Sequence, residues 1–206
     1  MAQRGLWSRR EVLTMTALFP VVAGCGASSS APTVSSTAAL ATGSSAGQAT
    51  VGGKSLLLGR AFLPSHFGGA AVGNAAFRVV DLETGNTVFT GLTDGNGQYT
   101  ALVTVQSSIA VIVTGGPFRV SGLMNPAQQG GGKDFNGVTD IACQAGVTAV
   151  NTKAIGGAQL TAGRIQNLEL AAAQLSQTVD FFSAASVTQA ANLVRQLTND
   201  GANPPA

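Results

Sequence analysis

The sequence predicts an α+β protein, a small antiparallel β-sandwich followed by about three short α-helices, carried behind an export signal. Three observations carry that expectation. Short apolar runs separated by Gly/Asn/Asp turns recur at roughly ten-residue spacing between Ser55 and Gly115. Beyond Asp134 the apolar period changes from two residues to that of a helix. At the amino terminus, basic residues precede one apolar stretch that ends in small residues and a cysteine.

Arg4, Arg9 and Arg10 lie ahead of Val12–Gly24, a stretch of 13 residues broken only by Thr14, Thr16 and Pro20. That is shorter than the ~20 residues a membrane-spanning helix needs, and it has the order of a secretory signal, so residues 1–24 are expected to be a signal peptide. No transmembrane helix is expected further on. Val22-Ala23-Gly24-Cys25 resembles the lipobox of bacterial lipoproteins. The resemblance implies that Val22, Ala23 and Gly24 are read by the signal peptidase and that the Cys25 thiolate takes the lipid. Several acyl chains, at about 0.8 kcal/mol per buried methylene, make an effective anchor. Ser8-Arg9-Arg10-Glu11-Val12-Leu13 resembles a twin-arginine export motif, which implies export in the folded state through Arg9 and Arg10.

The net charge of +2 belongs entirely to this leader; residues 25–206 hold eight basic and eight acidic side chains. The basic ones are scattered, with no cluster to follow a phosphate backbone, so nucleic acid is not an expected partner. With Cys25 acylated, Cys143 is the single remaining thiol, expected as a small buried hydrophobe in a helix.

Residues 25–54 comprise the lipidated cysteine and a Ser/Ala/Thr/Gly-rich tether too poor in large apolar side chains to fold. The sandwich is expected over 55–115. Leu56–Phe62 is a first strand, and Ala75–Leu82 a second with Ala75, Phe77 and Val79 on one face. Glu83-Thr84-Gly85-Asn86 turns the chain into Thr87–Thr93. Asp94-Gly95-Asn96-Gly97 is expected to close a hairpin onto Gln98–Val103, and Ser108–Thr114 completes the set.

Gly59-Arg60-Ala61, Val72–Phe77 leading into Arg78–Asp81, and above all Thr93-Asp94-Gly95-Asn96-Gly97-Gln98-Tyr99 carry a resemblance. Over about 60 residues the segment resembles the carboxypeptidase regulatory-like domain, a prealbumin-like sandwich with a T-D-x-x-G-x-Y signature. The resemblance implies a spacer or adhesive module and no peptidase activity.

Residues 116–134, with Gly-Gly-Pro, Asn-Pro and three consecutive glycines, read as a mobile connector. The helical segment spans 135–200, before a short tail. Val138, Ile141, Ala142, Ala145 and Ala149 mark a first helix, expected to break near Gly146. Ile165, Leu168, Ala172, Leu175 and Val179 mark a second. Val187, Ala190, Ala191, Val194 and Leu197 mark a third, opened by a Ser186/Gln189 capping box and ended at Asn199-Asp200-Gly201. Such short helices are expected to pack on one another or on the sandwich.

The chemistry-bearing residues are few. His66 is the single histidine and cannot build a multi-histidine metal site. Lys133 fails as a phosphate-loop lysine because Ala127 and Asp134 stand where Gly and Ser/Thr are required. Asp94-Gly-Asn96-Gly-Gln98 lacks the glutamate of a calcium loop and is explained by its turn. His66 and Phe67 are the best of a weak set for stacking on a sugar. No catalytic residue, metal or cofactor is expected. The leading expectation is a non-catalytic lipoprotein held on the exported side of a membrane, periplasmic or at the cell surface, contacting another envelope protein or a surface polymer. The second is an exported ligand- or carbohydrate-binding protein, and the third an enzyme, with a site between sandwich and helices.

Overall fold

A computed structural model describes residues 50–51, 53–63, 69–105, 107–129 and 132–205. The leader, the lipobox and the tether up to residue 49 lie outside the described residues, as do His66 and Phe67. The fold is α+β: two antiparallel sheets share one apolar core, and helices cover part of the outer face of the larger sheet.

The smaller sheet has the order β1 (Thr50–Val51), β2 (Lys54–Arg60) and β5 (Gln98–Val103). The larger runs β4 (Thr87–Leu92), β3 (Ala76–Asp81), β6 (Ile109–Gly115) and β7 (Phe118–Met124). Alternation decides which side chains face inward. Tyr99, Ala101 and Val103 of β5 are buried while Gln98, Thr100 and Leu102 are exposed, and Phe77 and Val79 of β3 are buried beneath exposed Arg78. Leu57, Phe77, Val79, Tyr99, Val111, Val113 and Val120 meet in the core between the sheets.

β6 does not alternate. Its run Ile-Ala-Val-Ile-Val is buried on both faces, the reading a continuous apolar strand permits. Ile109, Val111 and Val113 fill the sheet–sheet core, whereas Ala110 joins a second core with the helices. That second core contains Leu82 and Leu123 from the sheet and Ile141, Leu160, Ile165, Leu168, Ala172 and Val194 from the helical half. The expected docking of helices on strands is therefore present.

Among the described residues four α-helices follow, one more than expected: α1 (Pro126–Gln129), α2 (Gly137–Asn151), α3 (Ala162–Leu175) and α4 (Ala184–Thr198), with single 3₁₀ turns at Gly157–Gln159 and Ser176–Thr178. Asn136 caps α2, its side chain accepting from the Val138 and Thr139 amides while Thr139 reaches back to the Asn136 amide. Asn199, in the left-handed region at φ 47°, ends α4 where expected.

Several boundaries differ from the sequence expectation. The tether was expected to reach Lys54, yet Thr50–Val51 pairs with Lys54 and Ser55 as the first strand. Residues 116–134 are not a connector. Gly116, at φ 58°, turns β6 into β7, and residues 132–135 run parallel beside β2 through Lys133 N–H to Leu58 O and Phe135 N–H to Arg60 O. β7 escapes alternation because it too is covered on both faces: Val120 and Met124 face the sheets, Leu123 the helices.

Asp94–Gly97 is a tight turn but closes no hairpin, because β4 and β5 belong to different sheets. It is a corner, and its residues explain the Thr93–Tyr99 motif. Thr93 Oγ1 accepts from the Ala75 amide and donates to Val72 O, which pins the corner to the β3 entry. The Asp94 carboxylate accepts from the Asn96 and Gln98 amides. Gly97 sits at φ 74°, where a Cβ would lie 2.8 Å from Ala61 O.

α2 does not break at Gly146. There a Cβ would lie 2.6 Å from Leu123 Cδ1, so the glycine lets the helix approach the sheet. α4 is capped by Ser183, three residues before the expected Ser186, because Ser183 Oγ is the atom that accepts from the Ser186 amide. Of its expected stripe, Val187, Ala190, Ala191 and Val194 are buried, but Leu197 is exposed and Thr198 takes the buried place.

Candidate functional site: a cleft at the sheet–helix seam

The hollow with the most varied chemistry lies where the β6–β7 turn meets the helices. It encloses about 380 Å³ between Phe118 and Arg119 on β7, Asp140 and Gln144 on α2, and Phe182 and Thr188 at α4. The volume falls in the range of small-ligand sites. Phe118 and Phe182 meet edge to face, ring centroids 6.5 Å apart at 66°, and Phe182 is 67 % exposed. A neighbouring hollow of about 410 Å³, lined by Phe62, Leu63, Val138 and Val179, shares Gly137 and Phe181 with the first. Gly137 makes room for Phe181: a Cβ there would lie 2.5 Å from the ring. A larger hollow of about 580 Å³ follows α4 alone, where no second element bears on a ligand.

Asp140 sets the electrostatics of the cleft. Its side chain is almost wholly buried; Ser121 Oγ donates to Oδ1 and Gln144 Nε2 donates to Oδ2 at 3.0 Å. Burial pushes the carboxyl above its ordinary range, against the opposing pull of the Ser121 and Gln144 hydrogen bonds and the Arg119 charge. A carboxyl whose folded pKa is raised favours the fold most where it is protonated, and that contribution is lost as pH rises through the folded pKa. Asp140→Asn, which cannot ionise, is therefore expected to gain stability relative to the wild type as pH rises toward 7. The gain should shrink toward pH 4. Urea unfolding of both proteins across that range checks the sign; a variant that loses stability relative to the wild type as pH rises would show that the ionised carboxylate is a net anchor.

No family model matches the chain, and no curated protein matches it.

Cys25, Val22, Ala23, Gly24, Arg9 and Arg10, the residues expected to direct export and lipidation, lie outside the described residues. Cys143 is fully buried at the sheet–helix seam, and burial pushes its thiol up to about 12, which leaves it protonated at neutral pH. Lys133 is committed to structure: Nζ donates to Leu123 O and pairs with Glu169 of α3. The Asp94 carboxylate is engaged by backbone amides, as the turn reading requires.

Tyr99 is buried, donates to Lys133 O and stacks on Phe135 at 5.0 Å, which makes it a structural residue. Among the described residues no three His, Cys, Asp or Glu side chains converge as metal ligands, and no helix is long and apolar enough to cross a membrane.

Sequence reasoning missed Phe118, Arg119, Asp140, Gln144 and Phe182. Two signals were available. Asp140 and Gln144 are four apart on a helix, so they share a face. Phe181-Phe182 stands just ahead of the helix-capping Ser183, where large apolar side chains are held at a helix entry.

Proposed function

We propose that this chain is an exported, lipid-anchored envelope protein whose folded part is a non-catalytic binding module, engaging another envelope protein or a surface polymer through the seam cleft. The observation that carries the binding role is the pairing of the exposed Phe182 ring with polar Arg119, Gln144 and Thr188 around one cleft. Interaction sites favour aromatic anchors beside a few placed polar groups. The anchor rests on Val22-Ala23-Gly24-Cys25 at the end of the apolar leader. The non-catalytic reading is supported by where the reactive groups are spent: the Cys143 thiol is sealed, and Asp140 is held by Ser121 and Gln144.

The carboxypeptidase regulatory-like identity belongs to the same proposal. It is supported by two facing antiparallel sheets and by the corner role of Thr93, Asp94, Gly97 and Tyr99 in the signature segment. A second reading, a diffusible carbohydrate-binding protein, is favoured by the edge-to-face Phe118–Phe182 pair as a platform for the apolar face of a sugar.

Intact mass and membrane fractionation of the wild type beside Cys25→Ala distinguish the two readings. The anchored reading expects the mass of residues 25–206 plus acyl chains, with the variant released from membranes. An unacylated wild type in the soluble exported fraction would overturn it and favour the diffusible one. A photo-crosslinking residue at position 182 then tests the cleft in intact cells. Adducts formed there but not at exposed Lys153, beyond the opposite, C-terminal end of α2, are expected; equal labelling at both would remove the cleft from the proposal.

A further inference from the structure

We propose that β4 joins two copies of this chain, strand to strand and antiparallel, about a two-fold axis through Thr90. Among the described residues β4 is the end strand of its sheet and pairs with β3 alone. Among the described residues, the backbone groups on its other edge have no hydrogen-bond partner. Proteins usually guard such an edge with lysine, proline, a bulge or a covering element; the irregularity in β4 lies at Val88, near its start, and leaves Phe89–Leu92 in regular register with β3. β4 reads Thr-Val-Phe-Thr-Gly-Leu, with neither charge nor proline. It also carries Leu92, which at 71 % exposure outranks every other exposed large apolar side chain described, and Val88 at 38 %. The opposite edge of the same sheet differs, since β7 is buried over most of its length.

The occupant follows from the strand's own sequence. Phe89 and Gly91 share the core-facing side, because a Cβ at Gly91 would meet the Phe77 and Phe89 rings, and Phe89 stacks on Phe77 at 5.6 Å. Thr90 and Leu92 lie on the other face. Residues directly opposite in an antiparallel pair share a face, so a two-fold axis must pass through a residue. An axis at Thr90 sets Thr90 against the partner's Thr90, Phe89 against the partner's Gly91 and Val88 against the partner's Leu92. Threonine pairs with threonine, and the two exposed aliphatic residues cover each other.

An axis at Phe89 leaves Leu92 with no partner on the strand, and one at Gly91 does the same to Val88. The register shift between Val79 and Val80 already leaves Val88 without a partner on β3. Arg78, which neighbours Thr90 on β3, would lie three strand spacings from its copy, roughly 14 Å at about 4.8 Å each. At physiological salt that exceeds the Debye length of about 8 Å, so the repulsion is screened. The inference does not depend on the lipid anchor or on the cleft.

Cysteine cross-linking in whole cells expressing the full chain, wherever the chain resides, tests the register. Opposed residues in antiparallel strands have Cα atoms about 4.5–5.5 Å apart, within disulfide reach. Under mild oxidation Thr90→Cys should give a species of twice the monomer mass, at least tenfold above the parent chain. Thr100→Cys on β5 and Thr114→Cys on β6, both exposed, should stay at the parent level. A Thr90→Cys yield no greater than the parent's, a stronger yield at Thr100, or an adduct of another mass would overturn the proposal. Sedimentation of the full chain in detergent is the independent readout. Thr90→Lys, which opposes two ammonium groups, should weaken the dimer at least tenfold with an unchanged circular dichroism spectrum. A wild type that sediments as a monomer at every concentration, or a Thr90→Lys variant as dimeric as the wild type, would also overturn it.

Discussion

Gly59→Ala is expected to destabilise the protein by about 3 kcal/mol or more, at the upper end of what overpacking costs. A Cβ at this position would lie 1.8 Å from Lys133 O and 2.7 Å from the Tyr99 hydroxyl oxygen. The first of these is backbone and cannot swing aside. Lys133 O accepts the Tyr99 hydroxyl, and the same short segment is tied to β2 by the Lys133 and Phe135 amides. Its Lys133 side chain then reaches Leu123 O and Glu169, so a displacement at Gly59 is felt in both sheets and in α3. Gly95→Ala is the matched control: nothing lies within 4 Å of its Cβ, and a change within ±0.5 kcal/mol is expected. Urea unfolding read by circular dichroism measures both. A Gly59→Ala midpoint near the wild-type value would mean that residues 132–135 do not lie against β2.

Leu123→Ala should cost about 2–5 kcal/mol, the range for deleting a buried leucine side chain. Its more telling effect should appear in the helices. Leu123 is a strand residue with no exposed surface, yet it packs in the helical core and lies against the bare face of Gly146. Helices of 14 or 15 residues such as α2, α3 and α4 are marginal alone and depend on an apolar face to pack against. Hydrogen exchange of the variant should therefore quicken in α2 more than in β2 or β5, which face the other core. Unchanged protection in α2 would mean that the helices hold together without the sheet.

Both substitutions act at places the sequence pattern presents as interruptions. Gly59 stands inside an apolar run, Gly146 was expected to break a helix, and Gly122 falls in the stretch expected to be a connector. Each marks a close approach instead. Gly122 leaves 2.1 Å between an ideal Cβ and the Phe135 ring, and Gly146 seats the helix on Leu123. A missing side chain reads alike in sequence whether it frees the backbone or admits a neighbour, and only the neighbour distinguishes the two.

Local structure is legible in the order of residues: the alternation of β3 and β5, the turns at Gly85 and Asp94–Gly97, the helical stripe of Ile165, Leu168 and Ala172, and the end of α4. These depend on side-chain period and on backbone torsions within a few residues, which composition and order specify. The sequence also carries the segment proposed as leader and the lipobox-like Val22-Ala23-Gly24-Cys25, a reading that depends on local order alone. The tertiary structure decided what is non-local. It made Asp94–Gly97 a corner between sheets, turned the connector into β7, and buried β6 and β7 on both faces. It also brought Phe118, Arg119, Asp140 and Phe182 from three separate segments to one cleft. Strand order and double burial arise from contacts between residues far apart in the chain, and no window of sequence contains both partners of such a contact.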